Sequence, residues 1–509
     1  MQMRRAISDY SNKNECCGLA SMVPQLREQG GRDLYRSLLI MKMLEENDPE
    51  LESELGDCYY QGDGLYQDEA RAIEKFKSAA AKGSIRAHYD LAWLYYDKGE
   101  YLRAIEYFRY CISQKEYFAE KKLQNCYCCL GDAYTRLAEP NITSAVENLV
   151  IASEKYHDSY AARRLALLYS DANSKHFDPE KSVRYYELAA VNGDAPAASI
   201  IAVCYIYGDD ELKVPKNCRK AESILLPFVE VEDADTSRAL GLLYMEQDKN
   251  TNFHPDYHKA KRYLEKSWSI NRSTNVAANL GYVSYLVNDF SLAEKMLVFA
   301  AEDGNYMYVD FLGRIYRDGL GVVPNLEKAA HYYDLAFRTE SMNNVFTAGE
   351  YSELLEELER YEKAYDVAEK GAEKYHDIWF VFLKAKLVLT LKVSGRISLE
   401  RASEDMELCL RYKSHEKEAH VLLGDYYLQS RDFRRAEGHY LDAFSLGSAD
   451  AAVYLGRLYE HGGGTIRSDI NKAVEWYQKA SAAGSQLGAT EESCFKKGLF
   501  GGYKRIRGL

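Results

Sequence analysis

Apolar positions along this chain recur in two nested rhythms. Within short windows they fall three and four residues apart, the spacing that lines one face of an α-helix. Leu51, Leu55, Cys58 and Tyr59 form one such stripe, and Ala72, Ile73, Phe76, Ala79 and Ala80 form the next. Gly62-Asp63-Gly64 separates them and Lys82-Gly83 closes the second, because glycine supplies the positive φ of a tight helix ending. The pattern predicts a helix-turn-helix hairpin. Small residues at Gly56, Ala72 and Ala79 let its two helices approach, while Tyr59 and Phe76 fill the space between them.

The slower rhythm is the hairpin itself. A Leu-Gly or Leu-Ala pair with Tyr three residues later returns about every 36 residues. It stands at Leu55-Gly56 with Tyr59, Leu91-Ala92 with Tyr95, Leu130-Gly131 with Tyr134 and Leu165-Ala166 with Tyr169. It returns at Leu240-Gly241 with Tyr244, Leu312-Gly313 with Tyr316, Leu423-Gly424 with Tyr427 and Leu455-Gly456 with Tyr459. A unit of this size cannot bury its apolar face alone and must stack on its neighbours. The predicted fold class is therefore all-α, an α/α superhelical solenoid of about twelve helix-turn-helix repeats. Its anchors are Gly56, Ala92, Gly131, Ala166, Ala202, Gly241, Gly281, Gly313, Ser352, Ala385, Gly424 and Gly456. Ser352 and Ala385 lie where the helical stripes persist but the glycine-rich turn is lost. The run Glu-Lys-Tyr-His-Asp occurs twice, ending at Asp158 and Asp377, and marks equivalent ends of two second helices.

Two units carry a family resemblance. One is Ala452-Val-Tyr-Leu-Gly-Arg-Leu-Tyr-Glu-His-Gly-Gly-Gly464, continuing through Asp469-Ile-Asn-Lys-Ala-Val-Glu-Trp-Tyr-Gln-Lys-Ala480. The other is Phe311-Leu-Gly-Arg-Ile-Tyr-Arg-Asp-Gly-Leu-Gly-Val322 with Lys328-Ala-Ala-His-Tyr-Tyr333. Both closely resemble the Sel-one-like repeat, a relative of the tetratricopeptide repeat. The expected organisation is an N-terminal helical cap (1–49), Sel-one-like repeats (50–340), divergent tetratricopeptide-like repeats (341–414), further Sel-one-like repeats (415–484) and a basic-aromatic tail (485–509). The resemblance implies a superhelix that binds partner proteins or peptides and scaffolds complexes, with the first helix of each hairpin lining the concave face. Carried over position by position, the candidate contact residues are Asp57, Tyr60, Trp93, Tyr96, Asp132, Arg136, Arg314, Arg317, Arg457 and Glu460. Aromatic and Arg side chains at such places are the usual interface anchors, although the aromatics also suit packing between hairpins. Tetratricopeptide clamps for a C-terminal carboxylate place Asn where Asp57, Trp93, Asp132, Leu167, Val203 and Leu242 stand here, which disfavours that mode.

Charge and chemistry narrow the picture further. A formal net charge of −13 argues against nucleic acid as a partner, since such binding rests on clustered Lys and Arg. The eleven cysteines follow no repeated pairing. They read as reduced thiols, and with no secretion-type segment at Met1–Asn14 they point to the cytoplasm. Cys126, Cys128 and Cys129, with Cys111 one helix earlier, lack a second ligand pair for zinc, and His254 and His258 straddle a helix start. Gly62-Asp63-Gly64 and Gly462-Gly463-Gly464 follow helices and lack the Lys-Ser or Lys-Thr of a phosphate loop. No catalytic residue, metal or cofactor is expected. The tail gathers Phe495, Lys496, Lys497, Phe500, Tyr503, Lys504 and Arg505 with no acidic residue beyond Glu492. It caps the last hairpin, lies in an acidic groove, or recruits a partner or an anionic membrane, the membrane being the less favoured recruit. The expected function is a non-enzymatic protein- or peptide-binding adaptor or scaffold, with a small-molecule or cell-wall-fragment sensor or hydrolase using the same groove as the alternative.

Overall fold

The computed structural model describes residues 47–62, 67–339, 341, 345–498 and 502–506. The expected N-terminal cap before Asn47, the turn residues Asp63 and Gly64, and Phe500 of the tail lie outside the described residues. The chain divides into two compact units, Met1–Asn271 and Arg272–Leu509.

The described residues form twenty-five α-helices, and the first twenty-four pair as twelve hairpins. In the first unit these are α1 (Pro49–Gln61) with α2 (Glu69–Ala81), α3 (Ile85–Asp97) with α4 (Tyr101–Ser113), and α5 (Glu120–Thr135) with α6 (Ile142–Val150), which a π-helical turn, Ile151–Lys155, continues. There follow α7 (Ser159–Ser170) with α8 (Pro179–Val191), α9 (Ala195–Tyr207) with α10 (Cys218–Leu225), and α11 (Ala234–Met245) with α12 (Tyr257–Ile270). In the second unit come α13 (Thr274–Leu286) with α14 (Phe290–Glu302), α15 (Val309–Asp318) with α16 (Leu326–Arg338), and α17 (Val345–Glu357) with α18 (Tyr361–Tyr375). The last are α19 (Ile378–Leu389) with α20 (Leu399–Arg411), α21 (Glu416–Gln429) with α22 (Phe433–Ser445), and α23 (Ala449–His461) with α24 (Ile470–Ala482). A short helix, α25 (Gln486–Ser493), and two strands, β1 (Phe495–Lys497) and β2 (Tyr503–Arg505), finish the described chain.

Helix boundaries follow from local chemistry. Between α8 and α9, Gly193 takes φ +93°, and the next residue, Asp194, accepts from the Ala197 N–H at 2.8 Å. One residue ends a helix in the left-handed conformation and its successor caps the next helix. The two Glu-Lys-Tyr-His-Asp runs do the same with histidine, His157 at φ +55° and His376 at φ +52°. Asp158 then accepts from Ala161 at 2.7 Å and Asp377 from Trp379 at 2.8 Å.

All twelve anchors fall inside first helices. At the glycine anchors the reason is space. A Cβ on Gly456 would stand 2.4 Å from the Tyr477 ring, one on Gly424 2.4 Å from Tyr440, and one on Gly281 2.6 Å from Leu297. The weak anchors are also buried, Ser352 fully, with its hydroxyl donating to the Ala348 carbonyl at 2.9 Å, and Ala385 fully.

The tyrosine three residues after the anchor makes two further contacts. Its hydroxyl donates to a glutamate on the second helix of the preceding hairpin: Tyr205 to Glu187 at 2.8 Å, Tyr244 to Glu222 at 3.1 Å, Tyr316 to Glu294 at 2.6 Å, Tyr427 to Glu407 at 2.7 Å, and Tyr459 to Glu437. Its ring is covered by the cation three residues into the second helix of its own hairpin. Lys220 lies over Tyr205, Lys259 over Tyr244, Lys328 over Tyr316, Arg435 over Tyr427 and Lys472 over Tyr459, from 3.8 to 5.2 Å from the ring centroid. Burial, reinforced by the neighbouring carboxylate, pushes the Tyr316 phenol up, so it remains a donor.

The close approach of helices yields a prediction with two signs inside one hairpin. Gly424→Ala drives a methyl into Tyr440 and destabilises by about 1–3 kcal/mol. Gly438→Ala on α22, where nothing lies within 4 Å, stabilises by about 0.5–1 kcal/mol. Urea denaturation of the two variants beside the parent protein checks both.

Candidate interaction face

The candidate residues stand one position after an anchor and about one turn later in the first helices, and the structure shows what they touch. In the first hairpin Asp57 is half-buried and ion-paired with Arg86 of α3, which also pairs with the buried Glu54 and stands 3.7 Å from Asp90. Tyr60 is half-buried against the same core as Trp93 and Tyr96. Trp93 meets Phe108, Tyr96 and Tyr89 edge-on with centroids 6.0–6.3 Å apart.

Asp132 is fully buried. Arg136 reaches it at 2.6 Å and Arg164 of α7 at 2.7 Å, while the Tyr96 and Tyr160 hydroxyls donate to it at 2.5 and 3.4 Å. A carboxylate there is affordable only because two guanidiniums and two hydroxyls replace its water. It therefore holds three helices together and presents no surface of its own. Arg136 is exposed, its guanidinium 5.9 Å from the centroids of Tyr96 and Tyr101.

In the second unit Arg314 donates to Glu350 at 2.7 Å and to the Thr347 hydroxyl at 2.9 Å, and Arg317 pairs with Asp318 and Glu350. Arg457 pairs with the buried Glu491 of α25 at 2.8 Å. Glu460 accepts from Tyr477 at 2.9 Å and pairs with Arg505 at 3.0 Å. Many of these partners are 28–36 residues apart in sequence, so the repeat period reappears as polar cross-links between equivalent helices.

The tail is folded where it is described. β1 pairs antiparallel with β2, Phe495 opposite Arg505. Phe495 is buried and stacks on Tyr477 at 5.7 Å, the Tyr503 N–H donates to Asn471 at 3.1 Å, and Arg505 bridges Glu460 and Glu491. Lys496, Lys497 and Lys504 point outward. The pairing of two three-residue strands carries too little sequence signal to be read in advance, each being flanked by glycines.

With this geometry in view, the comparisons with known proteins decide the family. The Sel1 repeat model matches residues 49–84, 159–194, 195–223, 238–267, 311–338 and 449–485. The chain carries six Sel1 repeats. No curated protein sequence matches it. Among solved structures it is similar to a protective antigen of uropathogenic Escherichia coli displaying an SLR fold. The two are 20% identical over 90% of this chain and 89% of that one, with a TM-score of 0.57. A Sel1 repeat protein from Oxalobacter formigenes (19% identity, 68% and 89% covered, TM-score 0.27) and yeast Tom70 (13% identity, 87% and 99% covered, TM-score 0.28) also match. Each of the six Sel1 matches includes a long turn between its helices. The three-residue turns at Lys98–Glu100, Val287–Asp289, Leu358–Arg360 and Ser430–Asp432 fall outside them.

The described cysteines are all free. Burial, with help from Asp132, pushes the Cys129 thiol up to about 12, and its neighbour Cys111, together with burial, raises Cys126 further. Such thiols stay protonated and are poor metal ligands. His254 and His258 are both exposed at the start of α12. Among the described residues one His-carboxylate cluster has metal-like spacing, His420, His439 and Asp442, and sequence reasoning missed it because its members sit on two helices.

Three carboxylates, Glu54, Asp57 and Asp90, compete for Arg86. The guanidinium engages the first two closely, and burial with the Asp57 charge pushes Asp90 up to about 7 from 3.8. Between these values the folded protein binds a proton that the unfolded chain releases, so Asp90 favours the fold at low pH and its contribution falls as pH rises towards 7. Asp90→Asn should flatten that fall, gaining on the parent by up to roughly 1.4 kcal/mol per pH unit. Urea denaturation at about pH 5 and pH 8 checks this; parallel pH dependence of the two proteins contradicts it.

Proposed function

We propose that this Sel1-repeat protein is a non-enzymatic, cytoplasmic adaptor that binds a protein or peptide along its first-helix faces. Sel1 repeats form a fold of the kind that binds protein partners and is generally a non-catalytic scaffold. The observation that carries the reading is the Trp93, Tyr96 and Arg136 patch. A half-buried pair of aromatic rings beside an exposed guanidinium is held in place by Asp132 beneath Tyr96 and Arg136, and such preorganised aromatic and Arg groups dominate interface energies. Leu167, 39% exposed one position after its anchor Ala166, extends that edge. Arg314, Arg317 and Arg457 supply equivalent positions in the second unit, although carboxylates already engage each of them.

Free cysteines support a reducing compartment, and among the described residues no helix is long and apolar enough to cross a membrane. A formal charge of −13 disfavours nucleic acid. In the tail, Phe495, Tyr503 and Arg505 are engaged by the last hairpin, which leaves Lys496, Lys497 and Lys504 as its available contacts.

Affinity purification from the native host, quantified by mass spectrometry, tests the face. Trp93→Ala with Arg317→Ala, and separately the exposed Leu167→Glu, should lose a recurrent partner by tenfold or more. Lys295→Glu, exposed on the second helix α14, should retain it. Equal recovery by all variants contradicts the choice of face.

A further inference from the structure

The hairpin of α21 and α22 gathers three metal-ligating groups that belong to none of the six matched repeats. His420 projects from α21; His439 and Asp442, three residues apart, project from one face of α22. One ligand atom from each lies within 4.8 Å of the others. The two Nδ1 atoms are 2.9 Å apart, and Asp442 Oδ2 is 3.9 Å from Nδ1 of His420.

Two imidazole nitrogens brought this close repel unless something positive sits between them. In the absence of an ion that is a single shared proton, one ring donating and the other accepting. A tetrahedral zinc ion with bonds of about 2.0–2.1 Å needs neighbouring ligand atoms roughly 3.3 Å apart. The two nitrogens would part by a few tenths of an ångström and the carboxylate would close on His420 by about half an ångström. Both adjustments are small. The Asp442 side chain is 63% exposed and free to turn, whereas that of His420 is 17% exposed.

The surroundings hold the site in order. The His439 ring stacks on Tyr427 with planes 6° apart and centroids 5.4 Å apart, and the Tyr427 hydroxyl is tied to Glu407 on α20 at 2.7 Å. A ligand whose ring plane is fixed by a supporting residue loses little freedom when it binds.

We propose that His420, His439 and Asp442 bind a first-row divalent cation, zinc by preference, with three protein ligands and an open fourth position. Two imidazoles and one carboxylate suit zinc, whereas calcium and magnesium favour all-oxygen sites. The ion would pin α21 to α22 in a hairpin whose helices are joined by only Ser430, Arg431 and Asp432.

The test uses the full chain, free of affinity tag and treated with chelator. Titration with cobalt(II), followed by its visible ligand-field absorption, should show one equivalent bound in a low-symmetry, low-coordinate site, and calorimetry with zinc chloride should give the same stoichiometry. His439→Ala should lower affinity by about a hundredfold, and the exposed Asp442→Asn by about tenfold, with far-ultraviolet dichroism unchanged for the latter. No saturable binding overturns the proposal. Binding that both variants leave intact overturns it equally, because the ion would then sit elsewhere, for instance on His254 and His258.

Discussion

The stack depends on a tyrosine three residues beyond the small anchor, as at Tyr205, Tyr244, Tyr316, Tyr427 and Tyr459. The anchor lets two helices of one hairpin touch, but contact within a hairpin does not build a solenoid. The tyrosine crosses to the preceding hairpin, gives its proton to a glutamate there, and leaves its ring under a lysine or arginine of its own hairpin. The arrangement sets a negative group and a positive group on either side of a buried ring. Hydrogen bonds to charged groups contribute about 1.5–3 kcal/mol and a cation over a ring about 0.5–2. Repeated along each unit, such joints make each hairpin's position depend on its neighbour.

The same geometry shapes the proposed interaction face. Because equivalent helices of successive hairpins lie side by side, residues one repeat apart meet, and much of the first-helix edge is consumed by their mutual bonds. Asp132 is the extreme case, enclosed by groups from three first helices. What remains accessible is the outer layer: the Trp93 and Tyr96 rings, Arg136 and Leu167. The inner layer of carboxylates fixes where those groups stand, so the proposed recognition and the stacking would draw on one network.

The architecture was legible because its requirements are local. A small residue at the helix crossing and the apolar stripe around it sit within a few residues of each other, so even Ser352 and Ala385 were found without a glycine-rich turn. The His-Asp pairs at His157-Asp158 and His376-Asp377 were legible for the same reason, one residue turning the chain and the next capping a helix. The candidate face was legible only as a set of positions. Asp57 and Asp132 look alike in sequence, yet one is half-buried and the other has no exposed surface, because Asp132 is enclosed by side chains of neighbouring first helices as far as 36 residues away. The tail hairpin, with strands of three residues, and the pair His420 and His439, nineteen residues apart on facing helices, left no periodic trace.

The claim that tyrosines couple neighbouring hairpins is tested most directly by native-state hydrogen exchange of a variant carrying Tyr316→Phe, Tyr427→Phe and Tyr459→Phe together. Each substitution keeps the ring and removes only the proton donated to Glu294, Glu407 or Glu437. Coupling through these bonds predicts faster exchange in α14, α20 and α22, the helices that carry the glutamates, as well as in α15, α21 and α23. Unchanged protection in α14, α20 and α22 would contradict it, and the stack would then rest on its apolar contacts and its other polar cross-links.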